Sequence, residues 1–176
     1  MTDDRVYPTG IGTSTSESIE LLGVDLASDV MGKVSFGELA YWLATKRRPT
    51  PGQLRVFEAV LASLADHGYT PTVIAARMTY YSAPESVQGA IASGLLGGGS
   101  RFLGVTEDTG QYLAGVIQTL GDVRAHSDDD WDAVALDAVT TAKTEGTKVP
   151  GLGHPVHKSG DPRTPVMFQI ARESDV

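Results

Sequence analysis

One run of this sequence sets several reactive side chains close together: Val149-Pro150-Gly151-Leu152-Gly153-His154-Pro155-Val156-His157-Lys158-Ser159-Gly160-Asp161-Pro162-Arg163. Its glycines and prolines preset a tight backbone, and glycine lets a ligand approach the main chain closely. Into that backbone the sequence sets two histidines, a lysine and an arginine. A histidine can donate to a carbonyl oxygen and stabilise charge that develops there. An arginine can grip a carboxylate through two parallel hydrogen bonds. Together they suit a keto-acid or a polycarboxylate. The plainer reading of the same residues is a basic surface loop built from turn formers.

Other candidates carry less. His154 and His157 are three apart and resemble a zinc pair, but no further ligand follows at sensible spacing, and Pro155 favours a loop over a helix. No metal is expected. His126 precedes Ser127 and Asp128, Asp129 and Asp130 and reads as cap chemistry, since adjacent aspartates do not converge on one ion unless a loop folds them inward. Lys46-Arg47-Arg48 reads as an exposed loop between helices. Gly97-Gly98-Gly99-Ser100-Arg101-Phe102-Leu103-Gly104 is glycine-rich but has no Lys-Ser/Thr ending and no preceding strand, so it is not a phosphate loop. Trp42, Tyr80 and Tyr81 read as core or dimer contacts. By type alone, His67 in Leu64-Ala65-Asp66-His67-Gly68 is a histidine at a helix end facing the last carbonyls.

The elements that must position these residues read as capped helices. Ser35 with Glu38, Thr50-Pro51 with Gln53, Thr70-Pro71, Ser82 with Glu85 around Pro84, and Ser127 followed by Asp128, Asp129 and Asp130 are start signals. Leu54, Phe57, Leu61 and Leu64 supply the apolar stripe of the second helix, which Gly68 is expected to end. Phe36, Leu39, Ala40 and Leu43 fall on one face of the first. Val87, Ile91 and Leu95, then Leu113, Val116, Ile117 and Leu120, then Trp131, Val134, Ala135 and Ala138 mark three more. A last helix begins at Thr164-Pro165 and has room for about three turns by Val176. Period-2 alternation is scarce, so strands are minor. The expected class is all-α, a multi-helix bundle. Residues 1–15 are expected to be loosely ordered, with one partial helical domain over 16–176.

Composition bounds the function. The 176 residues carry 41% apolar and 20% charged side chains and a net charge of −8, ordinary for a soluble globular chain. An acidic chain is a poor nucleic-acid binder. There is no cysteine, which removes disulfides, thiolate catalysis and thiolate metal sites and fits a cytoplasmic location. No secretory leader opens the sequence, and the most apolar stretch, Ala90 to Gly99, is too short to span a bilayer.

Gly151-Leu152-Gly153-His154-Pro155-Val156-His157-Lys158-Ser159-Gly160-Asp161-Pro162-Arg163 is very similar to the glycine–histidine–lysine–Asp-Pro-Arg signature of the citrate synthase superfamily. The likeness extends to Leu22-Gly23 through Leu43 and to the Asp66-His67 turn. It implies that His154 holds the carbonyl or hydroxyl oxygen of oxaloacetate or citrate. Arg163 and His67 would hold carboxylates, with His67 also counted as catalytic. Val149, Gly151, Leu152, Gly153 and Lys158 would line the CoA site. Citrate synthases carry a histidine in the glycine turn and an aspartate well beyond the Asp-Pro-Arg run, and neither is present here. The Gly-Ser-Arg-Phe turn instead resembles the citryl-CoA lyase branch, including the lyase module of ATP-citrate lyase, shortened at its C-terminus. Ser100 and Arg101 would then face the thioester or a phosphate. The resemblance implies cleavage of citryl-CoA to acetyl-CoA and oxaloacetate by a homodimer, with a CoA thioester as substrate and no tightly bound cofactor. The alternatives are condensation to citrate or 2-methylcitrate, and a non-catalytic module that binds carboxylate or CoA.

Overall fold

A computed structural model describes residues 9–66, 68–99, 104–154 and 156–176. Seven α-helices account for most of them: α1 Phe36–Thr45, α2 Pro51–Ser63, α3 Pro71–Ser82, α4 Val87–Leu96, α5 Val105–Gln118, α6 Asp128–Thr144 and α7 Arg163–Glu173. The all-α expectation holds. Three short strands, β1 Gly12–Ser14, β2 Ile19–Leu21 and β3 Val24–Asp25, form one small antiparallel sheet. β1 thus falls within the stretch expected to be loosely ordered. Its register pairs Gly12 with Leu21 and Ser14 with Ile19, and Leu21 pairs in turn with Val24. Leu22 (φ 49°) and Gly23 (φ 78°) form the two-residue turn between β2 and β3. Two positive φ values match the right-handed twist of the flanking strands. Leucine is a poor residue for that conformation, so no turn signal shows in the sequence.

The helix starts follow the cap residues. The Ser35 hydroxyl accepts the Glu38 N–H (3.1 Å), and the Thr70 hydroxyl accepts that of Val73 (3.4 Å). Thr50 with Gln53 and Ser127 with Asp130 complete reciprocal capping boxes. Each such cap satisfies amide donors that the helix itself leaves unpaired. Two boundaries differ from expectation. α2 stops at Ser63, before Gly68, because Leu64 and Ala65 close onto carbonyls three residues back and tighten the last turn. Ser82 ends α3 instead of starting α4, which begins after Ser86 without a side-chain cap.

The chain divides into two compact units, Met1–Asp66 with Pro162–Val176, and His67–Asp161. In the first, α2 packs on both α1 and α7. Glycines set both crossings: a Cβ on Gly37 would strike Glu58, and one on Gly52 would strike the Ser174 carbonyl. Arg55 of α2 donates to Glu173 of α7 at 2.7 Å and to Ser174 at 3.4 Å. That hydrogen bond, seconded by Gln169, holds the Glu173 carboxyl below its ordinary range. Trp42 is buried on α1 (5% exposed), and the Arg48 guanidinium lies 4.3 Å above its ring. Arg47 reaches the Tyr41 hydroxyl at 3.2 Å, so the basic run is exposed yet folded back on α1. Phe36, expected on the apolar face, is 84% exposed, and Leu61 and Leu64 are exposed as well. The stripe of α2 was expected to be buried; Leu54 and Phe57 are half-buried, and Leu61 and Leu64 are not covered by any described element.

In the second unit α3 and α4 form a tight hairpin. Gly94 permits the approach, since a Cβ there would lie 3.2 Å from the Ala76 methyl and the Thr72 carbonyl. The outward residues Ile74, Met78, Tyr81, Val87, Ile91 and Leu95 are all exposed. α6 carries Tyr112 of α5 against its backbone through the bond from the Tyr112 hydroxyl to the Ala138 carbonyl (3.2 Å).

At the start of α6, hydrogen bonds from Ser127 lower the Asp130 carboxyl below its ordinary range, with a smaller pull from nearby His126. A lowered folded-state pKa adds stability that is present above the unfolded value and is lost as pH falls through the folded one. The Asp130→Ala variant is therefore expected to melt below wild type near neutral pH. In thermal melts followed by circular dichroism, that gap should close below the carboxylate range. A gap that persists in acid would show that the carboxylate is not the source.

Candidate functional site

The histidine loop leaves α6 through a bend fixed by Gly146 (φ 68°) and by Thr147, whose N–H and hydroxyl both bond the Ala142 carbonyl. Leu152 N–H then closes on the Val149 carbonyl at 3.3 Å. Gly151 (φ 80°) and Gly153 (φ 99°) both occupy the left-handed region that glycine alone enters cheaply. Gly151 also rests against α5. A Cβ there would come 2.8 Å from the Thr109 hydroxyl, which is itself tied to the Val105 carbonyl at 2.7 Å. Thr109 thus sets where the loop lies, and nothing in the sequence pattern marks it for that role.

Past the glycines the backbone wraps around one imidazole. The Val156 and His157 N–H groups both donate to His154 Nδ1, each at 3.1 Å. Two donors on one ring nitrogen assign the tautomer: Nδ1 carries the lone pair and Nε2 carries the proton. His154 is half-buried and held as a hydrogen-bond donor. The His157 ring stacks beside it, with centroids 4.6 Å apart and planes tilted by 32°. Asp161 completes the group: one nitrogen of each ring and one Asp161 oxygen lie within 4.8 Å of one another.

The expectation that no third ligand accompanies the two histidines is therefore corrected in geometry. Asp161 arrives because Gly160 (φ 124°) turns the chain back. The spacing His-x2-His-x3-Asp was the available signal. The chemistry nevertheless opposes a metal. A metal on His154 Nε2 would require the proton to move to Nδ1, against two amide N–H groups that point at it. Of this described group His157 and Asp161 would remain, fewer than the three or four protein ligands zinc uses.

The other expected site residues fall as follows. Val149 is half-buried; Gly151, Leu152, Gly153 and Lys158 are exposed on the loop. Arg163 opens α7 in the first unit, and its Nη1 donates to the Ser63 carbonyl at the end of α2 (3.0 Å). His67, Ser100 and Arg101 lie outside the described residues. His126 stacks near Trp131 at 5.1 Å, consistent with a local role at the α6 cap. Surface hollows among the described residues include one of about 660 Å³ beside Lys33, Glu38 and Arg48, and one of about 610 Å³ beside Tyr112, Val134 and Ala138. Thr147, at the root of the histidine loop, lines the second, and none of residues 149–163 lines either.

With this geometry in hand, comparison with known proteins is informative. The chain matches the family described as citrate synthase, C-terminal domain, over residues 25–175. The probable ATP-citrate synthase of Dictyostelium discoideum is 26% identical over 147 residues, 82% of this chain and 21% of that protein. The citryl-CoA lyase of Hydrogenobacter thermophilus superposes with a TM-score of 0.79 at 31% identity, over 97% of this chain and 62% of that one. The ATP citrate lyase of Methanothrix soehngenii, solved with citrate and coenzyme A, gives 0.77 at 22% identity, over 98% of this chain and 26% of that one. An Asp→Ala variant of the Methanosaeta concilii ATP citrate lyase, solved with (3S)-citryl-CoA, gives 0.75 at 22%, again over 98% and 26%. At 22% identity these last two show a shared fold. The chain spans less than two thirds of the length of each of these relatives.

Gly151→Ala is expected to destabilise the protein by about 1–2 kcal/mol from the left-handed backbone alone, and further from the contact with Thr109. Chemical denaturation of Gly151→Ala with and without Thr109→Ala tests it. Because the contact is to the Thr109 hydroxyl, the penalty should be smaller in the background that lacks it. A neutral Gly151→Ala would contradict the backbone geometry.

Proposed function

We propose, for a chain that belongs to the citrate synthase family, a citryl-CoA lyase reaction that gives acetyl-CoA and oxaloacetate. The observation that carries this reading is the pair of amide N–H groups on His154 Nδ1, which leaves Nε2 to carry the proton. Its Nε2–H is a fixed donor for the citryl hydroxyl oxygen, which becomes the keto oxygen as the C–C bond breaks. A donor that is already oriented needs no reorganisation as charge grows on that oxygen. The likeness to the citryl-CoA lyase of H. thermophilus supports the direction of cleavage.

The remaining assignments follow from the family motif. Arg163 takes a substrate carboxylate. Its bond to the neutral Ser63 carbonyl is the weaker option, because a carboxylate makes a charge-assisted and two-point contact. His67 holds a second carboxylate and assists catalysis. The strand of backbone from Val149 through Gly153 runs beside CoA, Lys158 meets its phosphates, and Ser100 and Arg101 face the thioester. CoA enters as part of the substrate, with no tightly bound cofactor. The enzyme acts in the cytoplasm as a homodimer, with the exposed apolar face of the α3–α4 hairpin, Ile74 to Leu95, covered by the second copy. Among the described residues no helix is long and apolar enough to cross a membrane.

Incubating the chain with citryl-CoA and following acetyl-CoA and oxaloacetate tests the reaction. His154→Ala is expected to lower kcat by about 10²–10³-fold, the usual loss of one oriented donor. An active His154→Ala variant would remove the assignment, and an inactive wild-type chain would remove the lyase reading. Light scattering should give a dimer for wild type and a smaller species for Ile91→Asp. A wild-type monomer would overturn the dimer.

A further inference from the structure

The helix that carries Arg163 has little burial to hold it. No residue of α7 is buried, its Pro162 start makes no side-chain cap bond, and Val166 and Phe168 are exposed. Among the described elements α2 is the one that packs closely along it. Apolar contact this thin leaves the tilt and register of α7 to its polar contacts with α2.

Those contacts lie at both ends. At the head, Arg163 Nη1 donates to the Ser63 carbonyl at 3.0 Å. At the tail, one guanidinium serves two consecutive residues. Arg55 Nη2 donates to Glu173 Oε2 at 2.7 Å, and Arg55 Nη1 donates to the Ser174 hydroxyl at 3.4 Å. Gln169 Nε2 donates to the other Glu173 oxygen, Oε1, at 2.8 Å, so both carboxylate oxygens are held. Gly52, in the first turn of α2, abuts the Ser174 carbonyl and lets the two helix ends meet.

We infer that Arg55 is a positioning residue for Arg163: by clasping the tail of α7 it fixes where the guanidinium at the head meets a substrate carboxylate. The inference deepens the proposed reading, in which Arg163 holds a carboxylate, and rests on it. Leverage is the first argument. Arg163 and Glu173 stand at the two ends of α7, about 15 Å apart along the axis. A swing of about 10° at the tail would carry the head roughly 2–3 Å, and misplacement by about 1 Å can cost a hundredfold. Persistence is the second. The tail contacts use no atom of Arg163, so they remain when that side chain turns from the Ser63 carbonyl to a ligand. Exposure is the third. The Arg55 and Glu173 side chains are 51% and 45% exposed, and an ion pair so open to solvent adds little to stability. What it contributes is geometry. The bond from Arg55, then that from Gln169, holds the Glu173 carboxyl below its ordinary range, so the clasp stays charged near neutral pH.

Citrate binding by the full chain is measured by calorimetry for wild type, Arg55→Ala, Arg163→Ala and the double variant, with thermal melts and citryl-CoA cleavage run beside it. Arg55→Ala is expected to melt close to wild type and to bind citrate about tenfold more weakly. In the Arg163→Ala background the same change should weaken binding no further, because the group that Arg55 places is gone. Arg55→Lys, which keeps a charged donor toward Glu173, should recover most of the affinity. Wild-type affinity in Arg55→Ala, or an equal loss in both backgrounds, overturns the positioning role; the second result would mark a general structural effect. A chain that binds citrate with the expected pattern but leaves citryl-CoA intact overturns the lyase reading alone, and Arg55 keeps its role. A wild-type chain that binds no citrate overturns the role of Arg55, and the lyase reading then stands or falls on cleavage.

Discussion

Two amide N–H groups converge on one imidazole nitrogen, and the rest of the loop exists to bring them there. Val156 and His157 can both face His154 Nδ1 only if the backbone doubles back within three residues. Left-handed turns at Gly151 and Gly153 deliver the chain to that point, and a further one at Gly160 carries it away. Each would cost a residue with a side chain roughly 1–2 kcal/mol. The sequence avoids this cost by placing glycine at all three. What emerges is an imidazole whose chemistry is set by its own main chain.

The supports around this loop differ in kind. α5 contributes a hydroxyl, Thr109, that meets the bare face of Gly151. α6 contributes a carbonyl, that of Ala142, which takes two bonds from Thr147 and turns the chain out of the helix. Neither is a charged contact, and both sit next to backbone. The ion pair of Lys33 with Asp29 at 3.9 Å lies elsewhere and is largely exposed, where solvent weakens it. Thr109 and Thr147 hold the loop by hydrogen bonding and close packing.

Much of this could be read from residue types. Caps at Ser35, Thr50, Thr70 and Ser127 announced four helix starts because a side-chain oxygen three residues ahead of a free amide is a local device. The Gly-His-Pro and Asp-Pro-Arg spacing marked the loop and the family. What stayed hidden was whatever depends on contact at a distance. The β2–β3 turn uses Leu22 at positive φ, a choice stabilised by the pairing on either side. Thr109 meets Gly151 across 42 positions, and only the folded chain shows why either is there. Asp161 was visible as a residue but not as a neighbour of the histidines, since loop spacing has no fixed period. Arg163 read as a carboxylate ligand, and its bond to the Ser63 carbonyl depends on where α2 ends, which was itself misjudged by a few residues.

The pairing of α2 with α7 has a consequence for the order of assembly. Arg55 meets Glu173 across 118 positions, and Arg163 meets Ser63 across 100. On a ribosome, α2 emerges early and must wait for its partner while the whole of the intervening unit is made. Residues 67 to 161 hold their own neighbours and can fold as they appear. The first unit cannot, because its α7 follows the whole of the second. Closing so long a loop is slow by comparison with local pairing. For that interval Gly52 and its surrounding face stand uncovered, and this is when the nascent chain is most exposed to off-pathway association.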